Sequence, residues 1–429
     1  MNGRVLDFLN RHSLNADNID MDWLCARFMD EMKAGLAGKE SSLAMIPSFC
    51  SPEASPKAGE KVIVIDAGGT NLRTCTVTFD SNLNPVIGDF RKTGMPGIDR
   101  PVSPEEFFGT FADQVERLID QSDRIGFCFS YAAEILPDHD GVPLFFSKEI
   151  KAPGVIGKHI GKELLAELGR RGHDVSRKRI IILNDTVTTL LAAQAKNHNG
   201  SFDGCIGFIL GTGTNTAYIE RNANITKMDP SISREGSQIV NVESGNLDLC
   251  LGDIDRAFLD STVEPGKYCF EKMISGAYLG PLAHKVLEFA VREGLFSEGF
   301  KAGFGKLASL STKDMNDFML DNPCRLAEIA SDEADYDALT DILGSMITRV
   351  AKLTAANLAS AVLATDYGKD EDHPVLINAD GTTFHMTAFL KSCTTEYLEA
   401  YLSEKGRRAV ITQIENSPTI GSAIGAMTI

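Results

Sequence analysis

Val62-Ile63-Val64-Ile65-Asp66-Ala67-Gly68-Gly69-Thr70-Asn71-Leu72-Arg73-Thr74-Cys75-Thr76-Val77 reads as strand, tight glycine turn, strand. A β-branched apolar run stops at Asp66, and alternation resumes from Leu72. Two glycines let backbone N–H groups approach an anion, and the Thr70 hydroxyl adds a donor. Asp66 closes the first strand, where a carboxylate can hold a cation directly or through water. A single Gly-Gly turn is commonly no more than a hairpin.

A second stretch repeats the grammar: Cys205-Ile206-Gly207-Phe208-Ile209-Leu210-Gly211-Thr212-Gly213-Thr214-Asn215-Thr216-Ala217-Tyr218-Ile219-Glu220. Two such hairpins suggest related halves facing one another across a phosphate. Neither matches the Gly-x-x-x-x-Gly-Lys-[Ser/Thr] loop or the Gly-x-Gly-x-x-Gly fingerprint.

A chain of 429 residues has room for two domains with real cores. Its net charge of −17 argues against nucleic acid or an anionic membrane as partner, so a phosphate site must be locally electropositive. The 9 cysteines, an odd count without paired spacing, suggest reduced thiols in a cytoplasmic protein. The N-terminal residues do not read as a signal peptide, and no apolar run is long enough to span a bilayer.

Helical spacing covers Val5 to Leu36, with Asn18 or Asp20 as a cap and the single Trp23 expected to pack. Gly38 to Glu60 is a connector broken by prolines. Strands are expected at Pro85–Phe90, Ile125–Ser130 and Arg179–Leu183, and helices from Ser103, over Gly161–Arg170 and over Thr186–Lys196. The later part is helix-rich, over Tyr268–Met273, Leu282–Glu293, Lys306–Met319 and Asp335–Leu363. Strands follow at Val375–Asp380 and Val410–Gln413, and a small-residue helix at Pro418–Ala426.

Open α/β sheets place their sites at the C-terminal ends of strands, where Asp66, Ser130 and Asn184-Asp185 fall. Asp185 reads equally as a helix cap and as a general base. Glu243 and Glu271 look like ordinary solvated carboxylates in isolation, but a sugar needs several carboxylates and amides because each hydroxyl both donates and accepts. Lys148 and Lys151 read as solvated, and Arg73 as a phosphate contact or a surface pair. His139 and His173 lack metal-ligand spacing and read as surface residues.

Taken together, these motifs resemble the hexokinase family, in order, from about residue 5 to the C-terminus. Ser42–Phe49 resembles its connector, Asp66–Arg73 its first phosphate motif and Gly211–Asn215 its second. Phe127–Ser130 and Phe146-Ser147-Lys148 are similar to its sugar-contacting segments, and Leu183–Val187 to its catalytic segment. Pro265–Gly276 resembles a further signature, and Asn378–Gly381 and Gly421-Ser422-Ala423 its adenosine-side elements.

The resemblance implies the two-lobed α/β fold of actin-like (ribonuclease H-like) ATPases, a small and a large domain around a cleft. It implies N-terminal helices and connector over 1–60, a small domain over 61–185, a large domain over 186–414, and a return to the small domain over 415–429. It implies ATP-dependent phosphorylation of the 6-hydroxyl of glucose or a related hexose, with ATP and Mg²⁺. Asp185 would be the base, with Lys148 beside it in catalysis. Ser130, Ser147, Lys148, Asn184, Asp185, Asn215, Glu243 and Glu271 would hold the hexose. Asp66, Gly68, Gly69, Thr70, Asn71, Arg73, Gly211, Thr212, Gly213, Gly381, Thr382, Gly421 and Ser422 would hold the nucleotide, and Asp66 and Asp185 the metal.

The chain departs from the family pattern at three points. Ser244 stands where the family commonly has Trp, Tyr131-Ala132 where it has Phe-Pro, and Ala277 where it often has Lys. The departures leave open a sugar-binding regulator with weak catalysis, or a kinase for another acceptor such as an acetylated amino sugar.

Overall fold

The computed structural model describes residues 2–146, 150–197 and 199–429. Ser147 and Lys148, which the resemblance places in the sugar site, lie outside the described residues.

The chain opens with helices α1 (Gly3–Arg11) and α2 (Met21–Leu36) and an edge strand β1 (Ile46–Pro47). Strands β2 (Lys61–Gly68), β3 (Asn71–Phe79) and β4 (Pro85–Gly94) form a meander, followed by α3 (Pro104–Val115) and β5 (Arg124–Phe129). A small hairpin, β6 (Ala133–Ile135) and β7 (Gly141–Pro143), precedes α4 (Ile160–Arg170), β8 (Arg179–Leu183) and α5 (Asp185–Lys196). The second half begins with another meander, β9 (Gly204–Leu210), β10 (Thr214–Arg221) and β11 (Ser237–Asn241). Helices α6 (Asp253–Asp260), α7 (Cys269–Ile274), α8 (Leu279–Arg292), α9 (Glu298–Phe304), α10 (Thr312–Met319), α11 (Arg325–Ile329) and α12 (Glu333–Leu363) come next. The chain closes with β12 (Val375–Asp380), α13 (Thr382–Met386), α14 (Leu390–Glu404), β13 (Ala409–Thr412) and α15 (Ser417–Ala426).

The two sheets share one plan. The first has the order β4-β3-β2-β5-β8, and the second β11-β10-β9-β12-β13 with β1 added beside β11. In each, the meander is antiparallel and the last two strands are parallel to its first. The repeated hairpins β2–β3 and β9–β10 carry the two glycine turns, so the duplication seen in the sequence is a duplication of architecture. Near-continuous apolar runs such as Val62–Ile65 are buried because helices cover both faces of these strands.

Helices α5 and α15 end the two repeats and pack against each other between the sheets. Each crosses over: α5 lies chiefly on β9 and β12 of the second sheet, and α15 on β5, β2 and β8 of the first. The packing is close enough to demand glycine. A side chain at Gly126 would meet the Ser422 carbonyl at 2.1 Å, and one at Gly421 the Thr188 carbonyl at 1.9 Å.

Several sequence expectations need correction. Trp23 is 51% exposed rather than packed; the helix it sits on turns Leu24, Cys25 and Phe28 inward instead. Asp20, not Asn18, caps that helix by accepting from the Trp23 N–H at 3.1 Å. The helix expected from Lys306 begins at Thr312, because Ser311 and Asp314 form a capping box there. His139 is half-buried, not a surface residue; it donates its N–H to Leu136 and burial lowers its pKa. All 9 cysteines are free.

Candidate active site

Strand β8 delivers Asn184 and Asp185 to the start of α5, at the junction of the two sheets. Here the alternatives for Asp185 separate. Asn184 is the cap, its side-chain oxygen accepting from the Thr186 N–H at 2.9 Å. Asp185 is the first helical residue, and its carboxylate meets the Thr186 hydroxyl at 3.4 Å, with the Ser130 hydroxyl near enough to lower its pKa. Burial pushes the Asp185 carboxyl up, and the Asp66 charge pushes it further.

Asp66 sits on β2 opposite Arg73 in the antiparallel register. The Arg73 guanidinium donates to it at 2.7 Å. Burial raises the Asp66 pKa and Arg73 opposes the rise. The turn that follows has both central carbonyls engaged: Tyr131 donates to the Gly69 carbonyl at 2.6 Å and the Met95 N–H to the Thr70 carbonyl at 3.0 Å. Gly69 has φ of +53°, which favours glycine. The Asn71 amide meets the Thr70 hydroxyl at 3.2 Å.

The second sheet supplies the opposite wall. The Asn215 amide donates to Asn241 at 2.6 Å and to Glu243 at 3.3 Å, and Asn241 donates to Glu243 at 2.8 Å. Glu243 holds a left-handed backbone, φ 59°, an uncommon conformation for a non-glycine residue that aims its carboxylate at these amides. Glu271 on α7 accepts the Thr214 N–H at 2.9 Å and fills the space a side chain at Gly213 would need. Burial pushes the Glu271 carboxyl up to about 7 with help from the Glu243 charge.

The four carboxylates therefore form a row. Asp185 feels the charge of Asp66, Glu243 that of Asp185, and Glu271 that of Glu243. One end of the row lies beside Gly68 in the first turn and the other beside Gly213 in the second. The cavity between the sheets is lined by Phe129, Tyr131 and Ala133 from one side, Ile46, Ser48, Asn241 and Glu243 from the other, and Asn184 at the junction.

The second turn is tied down like the first. The Gly211 carbonyl accepts from the Gly276 N–H and the Thr383 hydroxyl, both at 2.8 Å, and the Thr212 carbonyl from the Ala277 N–H at 3.1 Å. Gly381, with φ of +112°, abuts Leu210, which brings Thr382 and the start of α13 beside this turn. Thr212 and Thr382 are exposed.

Gly421 and Ser422 are the exception among the nucleotide candidates. Both are buried within α15, Gly421 against Thr188 and Ser422 against Gly126, with the Ser422 hydroxyl bonded to the Pro418 carbonyl. Their small size serves helix packing, and they offer no surface to a nucleotide. Conversely, Asn241 lines the site and was not singled out, and Tyr131, noted only as a departure from the family pattern, lines it too. Asn241 closes β11 two residues before Glu243, and the β10–β11 pairing brings it beside Asn215.

Duplicated β-meanders carrying phosphate-sized glycine turns, with carboxylates along the cleft between them, define the actin-like ATPase fold as sugar kinases use it. The chain belongs to the hexokinase family: family models described as hexokinase match residues 6–195 and 205–428. Among curated relatives, Hexokinase-7 of Oryza sativa subsp. japonica is 26% identical, covering 95% of this chain and 92% of its own. Hexokinase-1 of Spinacia oleracea is also 26% identical, covering 92% and 84%. A solved hexokinase superposes with a TM-score of 0.79 at 22% identity over 99% of this chain and 100% of its own. The Schistosoma mansoni hexokinase solved with glucose does so at 0.77 and 22%, over 99% of each. These matches make the chain a hexokinase by class.

Proposed function

We infer that the protein transfers the γ-phosphoryl group of ATP to the primary 6-hydroxyl of glucose or a closely related hexose. The observation that carries this reading is the row Asp66–Asp185–Glu243–Glu271, which runs between two glycine turns at the junction of the sheets.

Phosphoryl transfer needs little covalent help from the protein; positioning and charge neutralisation dominate. Glu243, Glu271, Asn184 and Asn215 supply the acceptors and donors that a polyhydroxylated ring requires. Asp185, raised by burial yet met by the Thr186 hydroxyl, is suited to take the hydroxyl proton as the oxygen attacks phosphorus. The N–H groups of Gly69 and Thr70, with Arg73, would face the anionic tail of the nucleotide. Residues from both walls line the cleft, which limits water as a competing acceptor.

No cluster of three or more metal-ligating side chains occurs among the described residues. That fits Mg²⁺, which binds through one or two carboxylates, substrate phosphates and water rather than in a protein cage. Asp66 and Asp185 would hold it, one Asp66 oxygen being engaged by Arg73. When bound, the ion neutralises charge on the phosphates.

The deciding experiment measures ADP release from MgATP with glucose, mannose, fructose and N-acetylglucosamine as acceptors. Glucose-dependent release is expected. Release confined to the acetylated sugar would reassign the acceptor, and sugar binding without any release would make the protein a sugar-binding regulator.

A further inference from the structure

We propose that Tyr131 is a positioning residue for the nucleotide: its hydroxyl, by holding the Gly69 carbonyl, fixes the first phosphate turn with its N–H groups presented to the anion. The proposal rests on the kinase reading above and adds a residue that the family resemblance does not supply, since the family places Phe at this position.

The β2–β3 hairpin pairs Gly68 with Asn71, so its loop is Gly69-Thr70. The peptide joining those two residues is the unit whose orientation distinguishes one two-residue turn type from its flipped counterpart. Glycine at the first central position lowers the steric cost of either orientation. The β-branched Thr70 at the second central position stays out of the positive-φ region and so already favours one orientation, which a contact from outside the hairpin can lock.

Tyr131 supplies that lock, donating to the Gly69 carbonyl at 2.6 Å. In a trans peptide the C=O and the following N–H point in opposite directions. Drawing the Gly69 oxygen toward Tyr131 thus turns the Thr70 N–H away from it, to the open side of the turn. The next carbonyl, that of Thr70, is held by the Met95 N–H. The N–H groups of Gly69 and Thr70 donate to no other described residue, and both residues are exposed. Carbonyls tied inward and amides left outward form the concavity that binds phosphate oxygens.

The tyrosine itself is rigidly placed. Its ring is buried and stacks edgewise or tilted against Phe129 and Phe146, with centroids at 5.1 and 5.4 Å. It immediately follows Ser130, whose hydroxyl lowers the Asp185 pKa. One side of the ring lines the cavity between the sheets. Tyr131 thus spans the interval between the sugar cleft and the phosphate turn.

The test is Tyr131→Phe, which removes one oxygen and keeps the ring. The KM for MgATP is expected to rise roughly 3- to 10-fold, the loss of one hydrogen bond, with the KM for glucose within about twofold. Calorimetric affinity for Mg-AMPPNP should fall by the same factor while the thermal midpoint holds. A purely packing role would weaken glucose and nucleotide together, which would overturn the proposal, as would an unchanged nucleotide KM. If the unsubstituted protein binds Mg-AMPPNP but shows no sugar-dependent turnover, the kinase reading fails alone and the binding arm still judges Tyr131. Failure of the unsubstituted protein to bind Mg-AMPPNP overturns both.

Discussion

Asp66, Asp185, Glu243 and Glu271 are all held above their ordinary pKa by burial, and each of the last three also by a neighbouring carboxylate. Removing the proposed base should be costly in rate and cheap in binding. Asp185→Ala is expected to lower kcat about 10²–10⁴-fold while glucose affinity, read by calorimetry, largely survives. Glu271 gives a pH prediction with a definite sign. Its carboxyl is raised from 4.5 to about 7 in the folded chain. The neutral form is thus favoured by folding, and its contribution is complete below the unfolded value and lost as pH rises through about 7. The sugar-free protein should lose thermal stability across that interval, and Glu271→Gln should flatten this part of the profile. Hydroxyl donors from a sugar favour the charged form, so glucose binding near neutral pH should release protons. Calorimetry in two buffers of different ionisation enthalpy checks this.

At the scale of elements, two contacts stand out. The α5–α15 packing predicts that Gly421→Ala destabilises the protein by about 1–3 kcal/mol, measured by urea unfolding, because the new methyl meets the Thr188 backbone. A rise in the KM for MgATP with stability unchanged would restore Gly421 to the nucleotide site. On α12, Arg349 forms a fully buried ion pair with Asp255 of α6. Arg349→Met would strand the carboxylate and should cost about 3–5 kcal/mol, also read by urea unfolding. The hairpins, the strand ends and their carboxylates were legible because apolar runs that stop at Asp or Asn have few other readings. The run Gly421-Ser422-Ala423 was not, since small residues serve a nucleotide loop and a tight helix crossing equally well. The start of α10 was hidden because apolar spacing continues through Leu307 and Leu310 although Ser311 ends the irregular segment. Trp23 misled for a similar reason: its size argues for burial, but its place on the α2 surface decides. Asn241 needed the register of β10 against β11 to be seen beside Asn215.

For the molecule as a whole, the binding groups come from both sheets, so ligand and fold are linked. Glucose at about 100 times its Kd should stabilise the native state by about 2.7 kcal/mol, seen as a higher calorimetric midpoint. Asn215→Ala, which removes the amide donated to Asn241 and Glu243, should shrink that increment. On the proposed function, a chain of net charge −17 would bind its nucleotide through local means, namely Arg73 and turns whose carbonyls are already committed.

Helix capping falls to Asn184, so the carboxylate of the next residue is not the group that closes the start of α5. Mutational drift can therefore silence phosphate transfer at a single codon while the chain still accumulates normally and still recognises its sugar. A duplicated copy so altered would need no compensating change to persist as a sensor, whereas damage one position earlier would erode the scaffold as well.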